Sequence, residues 1–189
     1  MVKQLMMLVS FSLLLACKGP NEQYLEKLNA YRVELNGYLL QQADTTQVAP
    51  LVFFDANMNL ITDASIMWLP NIRYIEMKHT GGEFRPYMLV AEVAFQLNGK
   101  SYSLQAYQNE QMRLNRKLFI PFTDLSNGKT TYGGGRYLDV PYAPQSTKCK
   151  VDFNYAYAPV CAHIHDYSCP VVPAQNHIDT EIVAGEKYP

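Results

Sequence analysis

Residues 87–107 constrain the fold more than any other stretch of this chain. The segment MLVAEVAFQL (residues 88–97) is almost continuously apolar yet still alternates, as a central strand does. Asn98-Gly99 follows, and a second alternating run returns over residues 100–107. Asn-Gly readily takes the positive φ of a two-residue turn, so the pair predicts a hairpin. Asn127-Gly128 repeats that signal. Further strand-like runs fall at 51–54, 60–69, 72–78, 117–122, 137–140 and 148–155, with little helix between them. This spacing predicts a mostly β fold: a single antiparallel β-barrel or sandwich domain.

One helix is expected, over residues 21–40. Asn21 is placed to cap it and Glu22 sits in its first turn. Leu25, Leu28, Tyr31, Leu35 and Leu39 recur at helical spacing, which makes it an amphipathic helix packed on the domain. Gly37 weakens its last turn. A chain of 189 residues, 48% of them hydrophobic, suffices for one core, so residues 21–189 read as one domain. The net charge of -1 exerts no pull on nucleic acid, and the basic cluster at 110–117 reads as a solvated turn or helix end.

The amino terminus reads as an address. Lys3 precedes an apolar run over residues 5–15 that is too short to span a bilayer, and the run ends in Leu14-Leu15-Ala16-Cys17. That ending resembles the bacterial lipobox, which implies a signal peptide over 1–16 and lipidation of Cys17, with residues 17–20 as the lipidated start of the mature protein. The expected location is the bacterial cell envelope, on the periplasmic side of the outer membrane. The membrane is then a partner through the lipid anchor.

Two stretches carry residues fit for chemistry. Residues 120–142 hold a Pro-Phe-Thr-Asp corner ending at Asp124, then Tyr132, Gly133, Gly134, Gly135 and Arg136. Consecutive glycines can aim several backbone N–H groups at one point, an anion-binding nest to which Arg136 would add a bidentate donor. Equally, the glycines can form a bulge, with Arg136 clamped to Asp124 or Asp139. Neither the phosphate-loop nor the dinucleotide spacing is present.

The second stretch runs Cys161-Ala-His163-Ile-His165-Asp-Tyr-Ser-Cys169. Cys161, His163, His165 and Cys169 have the donor types zinc accepts. In an oxidising envelope a Cys161–Cys169 disulfide is the simpler reading, and it leaves Cys149 as the spare thiol. Two free thiols, or a thiol–imidazole nucleophile, use the same residues. His79 and His177 read as single exposed or hydrogen-bonding histidines. No cofactor is predicted, with zinc kept as a lesser option.

The motifs Phe119-Ile-Pro-Phe-Thr-Asp124, Thr131-Tyr-Gly-Gly-Gly-Arg-Tyr-Leu-Asp139 and Tyr167-Ser-Cys-Pro170, together with Asp152-Phe-Asn154, resemble the uncharacterised domain-of-unknown-function family numbered 1684. The likeness is specific over residues 118–188 and looser over 49–108. It implies a compact domain, often on exported lipoproteins, with these motifs gathered together. The family supplies no activity; the expected function is an envelope lipoprotein binding a small polar or anionic ligand, in a pocket that the resemblance places among these motifs. Tyr132, Gly133, Gly134, Gly135, Arg136 and Asp124 would be the contacts, with Asn154 and the 161–169 loop as a wall. The competing expectations are a hydrolase using Cys, His and Asp groups of residues 161–169, and a structural envelope protein.

Overall fold

The computed structural model describes residues 19–43 and 48–188, so Cys17 and the signal segment lie outside the described residues. Helix α1 (Pro20–Gln42) starts from Gly19, with Pro20 at its first position, where a missing N–H breaks no helical bond. Asn21 therefore sits inside the first turn and is not the cap, a correction to the sequence expectation. Only Leu28 and Leu39 of α1 are fully buried. The helix is also held by polar anchors: Tyr24 donates to Asp152 Oδ2 (2.9 Å), Tyr31 to the Tyr155 carbonyl (3.0 Å), and Arg32 to the Phe54 carbonyl (2.9 Å). Among the described residues no helix is long and apolar enough to cross a membrane.

The strands are β1 (Val52–Phe53), β2 (Ile61–Lys78), β3 (Phe84–Leu97), β4 (Lys100–Gln108), β5 (Lys117–Asp124), β6 (Arg136–Pro141), β7 (Lys148–Asp152), β8 (His177–Ile178) and β9 (Glu186–Lys187), with a short helix α2 (Glu110–Leu114) before β5. The main sheet runs β6-β5-β4-β3-β2-β7 and is antiparallel throughout that path. Its edge strands β6 and β7 approach one another, so the sheet is nearly closed and barrel-like. β8 adds to β5 in parallel, while β1 and β9 pair separately.

The predicted hairpin forms as expected: Asn98 (φ 51°) and Gly99 (φ 77°) turn β3 into β4. Residues 60–69 and 72–78, expected as two strands, make one long β2. The register shifts between Trp68 and Arg73, where Pro70 cannot donate to the ladder. Asn127-Gly128 does not make a tight hairpin, because 11 residues (125–135) separate β5 from β6. Instead the Asn127 side chain accepts from the Asp124 N–H (2.6 Å) and donates to the Tyr132 carbonyl (2.9 Å), bracing the long connection.

Alternation along the strands sorts side chains into two layers. Leu118, Ile120 and Phe122 of β5 join Leu138 and Val140 of β6 in the barrel core, together with Val93, Leu104 and Phe153. Phe119 and Tyr137 face the opposite way, into a smaller cluster with Met77, Leu89 and Tyr107. The chain after β7 crosses this second face. Tyr157 and Tyr137 exchange backbone hydrogen bonds there (2.8 and 3.1 Å). β4 and β5 share only the Tyr107–Phe119 pair. Beside it the buried Asn176 side chain substitutes for a strand: it accepts from the Gln105 N–H (2.8 Å) and donates to the carbonyls of Gln105 (2.9 Å) and Pro121 (2.7 Å).

Candidate functional site

The residues singled out in the glycine-rich stretch do not converge on an open pocket. Arg136 shares the even positions of β6 with Leu138 and Val140, and Asp124 shares those of β5 with Phe122, so both point inward. Arg136 is 0% exposed. One Nη2 serves Asp124 Oδ2 and the Ile182 carbonyl, both at 2.8 Å, and Nη1 donates to the Ala184 carbonyl. The other Asp124 oxygen accepts from the backbone N–H groups of Ser126 (2.8 Å) and Ile182 (3.1 Å). Burial pushes the guanidinium pKa down, and the Asp124 carboxylate opposes that shift. This is the clamp, tying β5 and β6 to the carboxy-terminal segment, and it corrects the expectation of a ligand-facing Arg136.

The glycines divide. Gly133 and Gly134 are exposed at the turn, whereas Gly135 is buried with φ at +92°. Tyr132 packs edge-on against Tyr188 (5.2 Å between ring centroids). Asn154, expected in a pocket wall, is 0% exposed and is used up internally. It accepts from the Asn57 N–H (2.7 Å) and donates to the Asn57 carbonyl (3.0 Å) and Asp152 Oδ1 (2.9 Å).

The zinc set suggested by the sequence does not assemble either. His163 Nε2 lies 2.7 Å from Glu186 Oε1, its ring faces Tyr188, and His165 is exposed. Among the described residues no group of three or more His, Cys, Asp or Glu side chains gathers to hold a metal. Cys161 and Cys169 do meet: the Cys161 N–H donates to Cys169 Sγ at 3.1 Å, and both are free thiols.

What the structure does form is a cleft of about 540 Å³ between α1 and the second face of the sheet. Its walls are aromatic: Tyr31 and Tyr38 from α1, Tyr87 from β3, Phe119 from β5, Tyr137 from β6, and Tyr157 and Tyr167 from the crossing segment. Phe119 and Tyr137 meet at 4.8 Å between centroids, and Tyr137 and Tyr157 at 5.8 Å, both edge-to-face. Burial pushes the hydroxyls of Tyr31, Tyr137 and Tyr157 well above the ordinary phenol range, so they stay protonated; those of Tyr31 and Tyr137 already donate to the carbonyls of Tyr155 and Pro170.

Polar groups of both signs line this aromatic cleft: Asp139, Glu34, Lys117, Arg85 and His79. His79 is 2% exposed, which removes the exposed half of the exposed-or-hydrogen-bonding expectation. Neither of its ring nitrogens has a hydrogen-bond partner, and the nearest carboxylate, Glu83, stands 3.9 Å from Nδ1. Burial pushes the imidazole pKa down and keeps the ring neutral. Asp139 alternates out of the core beside Tyr137. Its Oδ1 is shut off from solvent without a partner, while Oδ2 lies 3.6 Å from Lys117 Nζ. Burial pushes the carboxyl pKa up, offset in part by Lys117 and by the Tyr157 hydroxyl. Buried polar atoms are nearly always satisfied, so three unpartnered ones on one cleft need a physical explanation. The sequence offers Asp139 as a clamp partner, and nothing local marks His79. The signal that could have found Asp139 is its odd position on β6.

The fold and site together define a small barrel-like β protein, braced by a buried Arg–Asp pair and carrying an aromatic cleft under its amino-terminal helix. The chain belongs to the family described as Protein of unknown function (DUF1684), whose model matches residues 46–187. It is also similar to an uncharacterized protein of Haloarcula marismortui with a solution NMR structure, with a TM-score of 0.68 and 27% identity over 89% of this chain and 96% of that one. No curated protein matches the chain.

Proposed function

We propose that this chain is a lipid-anchored protein of the bacterial cell envelope whose cleft beneath α1 binds a small polar molecule. The observation that carries the binding reading is that two residues lining the cleft hold three buried polar atoms without a partner: both His79 ring nitrogens and Asp139 Oδ1. Leaving such atoms unsatisfied costs about 1–3 kcal/mol each, and a bound molecule that hydrogen-bonds them recovers that cost. The tyrosines and Phe119 suit a flat or apolar ring face, Asp139 accepts from a hydroxyl or amine, and Arg85 and Lys117 accommodate an anionic group. The hydrolase alternative has less to stand on, because the groups that lower the Cys161 thiol pKa most are Cys169 and Thr80, and His163 is engaged by Glu186.

A thermal-shift screen of polar metabolites tests the binding reading, since a ligand specific to the folded state raises Tm by mass action. Wild type should show a shift with at least one compound, and Asp139→Asn should lose it. The same substitution should leave the unliganded protein more stable than wild type at pH 7. A carboxyl whose folded pKa is raised contributes stability that is present at low pH and lost as pH climbs through the raised value. Asparagine carries no such loss, so the gap in Tm between variant and wild type should shrink toward pH 4. A variant that keeps the ligand shift, or a library that shifts nothing, contradicts the reading.

The envelope reading rests on the Leu14-Leu15-Ala16-Cys17 ending of the apolar run. Cys17→Ser should abolish incorporation of labelled fatty acid and move the protein from the detergent to the aqueous phase on cloud-point partitioning. Unchanged labelling contradicts it.

A further inference from the structure

We infer that Cys161 and Cys169 form an exchanging redox pair beside the cleft, with Cys161 as the attacking thiol and Cys169, on the cleft wall, as the resolving one. The fold places the two thiols side by side. Cys161 sits in the short turn Val160–Ala162 after Pro159, and its N–H points at Cys169 Sγ from 3.1 Å. Cys169 is fixed from its other side: its N–H donates to Thr80 Oγ1 (3.0 Å) and its carbonyl accepts from the Thr80 N–H (2.9 Å). Two sulfurs eight positions apart are thus held together by the turn between β2 and β3, with no rearrangement of the sheet required.

The two thiols are also unequal. Cys161 is partly accessible, whereas Cys169 is 4% exposed and lines the cleft from within. An exchanging pair needs one thiol that meets its partner and one that does not. The electrostatics agree. Hydrogen bonding from the Cys169 thiol, helped by Thr80, pulls the Cys161 thiol down to about 7, and Cys169 is raised in turn. Cys149 is half-buried and pushed up to about 11 by desolvation, so it stays out of the exchange.

The step balances with a low-molecular-weight or protein disulfide as oxidant. The Cys161 thiolate attacks one sulfur of that disulfide, forming a mixed disulfide and releasing one thiolate. Cys169 then loses its proton to solvent and attacks Cys161 Sγ, which forms the Cys161–Cys169 bond and releases the second thiolate. Two electrons pass from the pair to the incoming disulfide, which leaves as two thiols. Because Cys169 is on the wall of the cleft, the bond stiffens the same surface on which the ligand is placed, but the exchange stands whether or not that ligand exists.

The test is equilibration of the whole protein in mixtures of oxidised and reduced glutathione, acid quenching, alkylation and peptide mapping. Cys161 and Cys169 should lose alkylation together and reversibly as the mixture becomes oxidising, appearing as one cross-linked peptide, while Cys149 remains alkylated. Cys169→Ser should trap glutathione on Cys161, and Cys161→Ser should leave Cys169 unmodified. Three results overturn the inference: a bond that stays closed at every ratio, thiols that never oxidise, or a glutathione adduct that persists on wild-type Cys161. Capture of glutathione on Cys169 in the Cys161→Ser protein reverses the assigned direction and overturns it as well.

Discussion

Arg136→Ala is expected to lower the unfolding free energy by about 3–5 kcal/mol, the range for removing one partner of a buried ion pair. The substitution strips Asp124 of its charged partner in a site with no solvent access, and also leaves the Ile182 and Ala184 carbonyls without their donor. Cation–π contact with Phe122, whose ring centroid lies 5.4 Å from the guanidinium carbon, is lost with it. Urea denaturation followed by circular dichroism measures the loss directly. Replacing both Arg136 and Asp124 by apolar residues of similar volume should recover a large share of it, because the penalty is mainly that of an uncompensated charge. A loss near 0.5 kcal/mol for Arg136→Ala would mean the pair does not brace the barrel.

The three consecutive glycines should respond unequally to alanine. At Gly135 the backbone has φ +92°, and an added Cβ would come within 2.7 Å of the Phe122 carbonyl oxygen and 2.7 Å of Val172. The left-handed backbone costs about 1–2 kcal/mol for a non-glycine residue. The clash adds roughly 1–3 kcal/mol, so Gly135→Ala should lose about 3 kcal/mol. Gly133 faces open space, its nearest contact being Gly128 at 3.8 Å, and Gly133→Ala should stay within about 0.5 kcal/mol of wild type. Gly134→Ala falls between, because the obstacle is the movable Tyr132 ring at 2.6 Å. Melting temperatures of the three variants rank them, and an equal response at all three positions would contradict this geometry. The glycine run thus serves the entry into β6, with the requirement concentrated in its last member.

The β3–β4 hairpin was legible because its information is local: two alternating runs and an Asn-Gly turn whose φ preference needs no distant partner. The helix was legible for the same reason, though its start was misplaced, since Pro20 at the first position competes with the Asn21 cap signal and wins. The site was harder. Arg136 invited a ligand reading because glycines precede it. Yet strand alternation puts it with Leu138 and Val140, and that parity was already present in the residues. What parity could not supply was the carboxy-terminal segment, whose Ile182 and Ala184 carbonyls arrive from more than 40 residues away to complete the clamp. The cleft is assembled from α1, β3, β5, β6 and the crossing segment, so no single window of sequence contains it. Asn176 is a similar case, an isolated polar residue in sequence that bridges two strands in space.

In the proposed reading, ligand recognition belongs to the aromatic cleft and structural bracing to the Arg136–Asp124 pair. The most direct test is chemical-shift mapping of the ¹⁵N-labelled protein with a compound selected by thermal shift. The amide shifts are expected to cluster at His79, Tyr87, Phe119, Asp139, Tyr157 and Cys169, with residues 132–136 unmoved. Shifts centred on Tyr132, Gly133 and Gly134 with the cleft residues still would contradict the account and return the binding site to the glycine-rich turn.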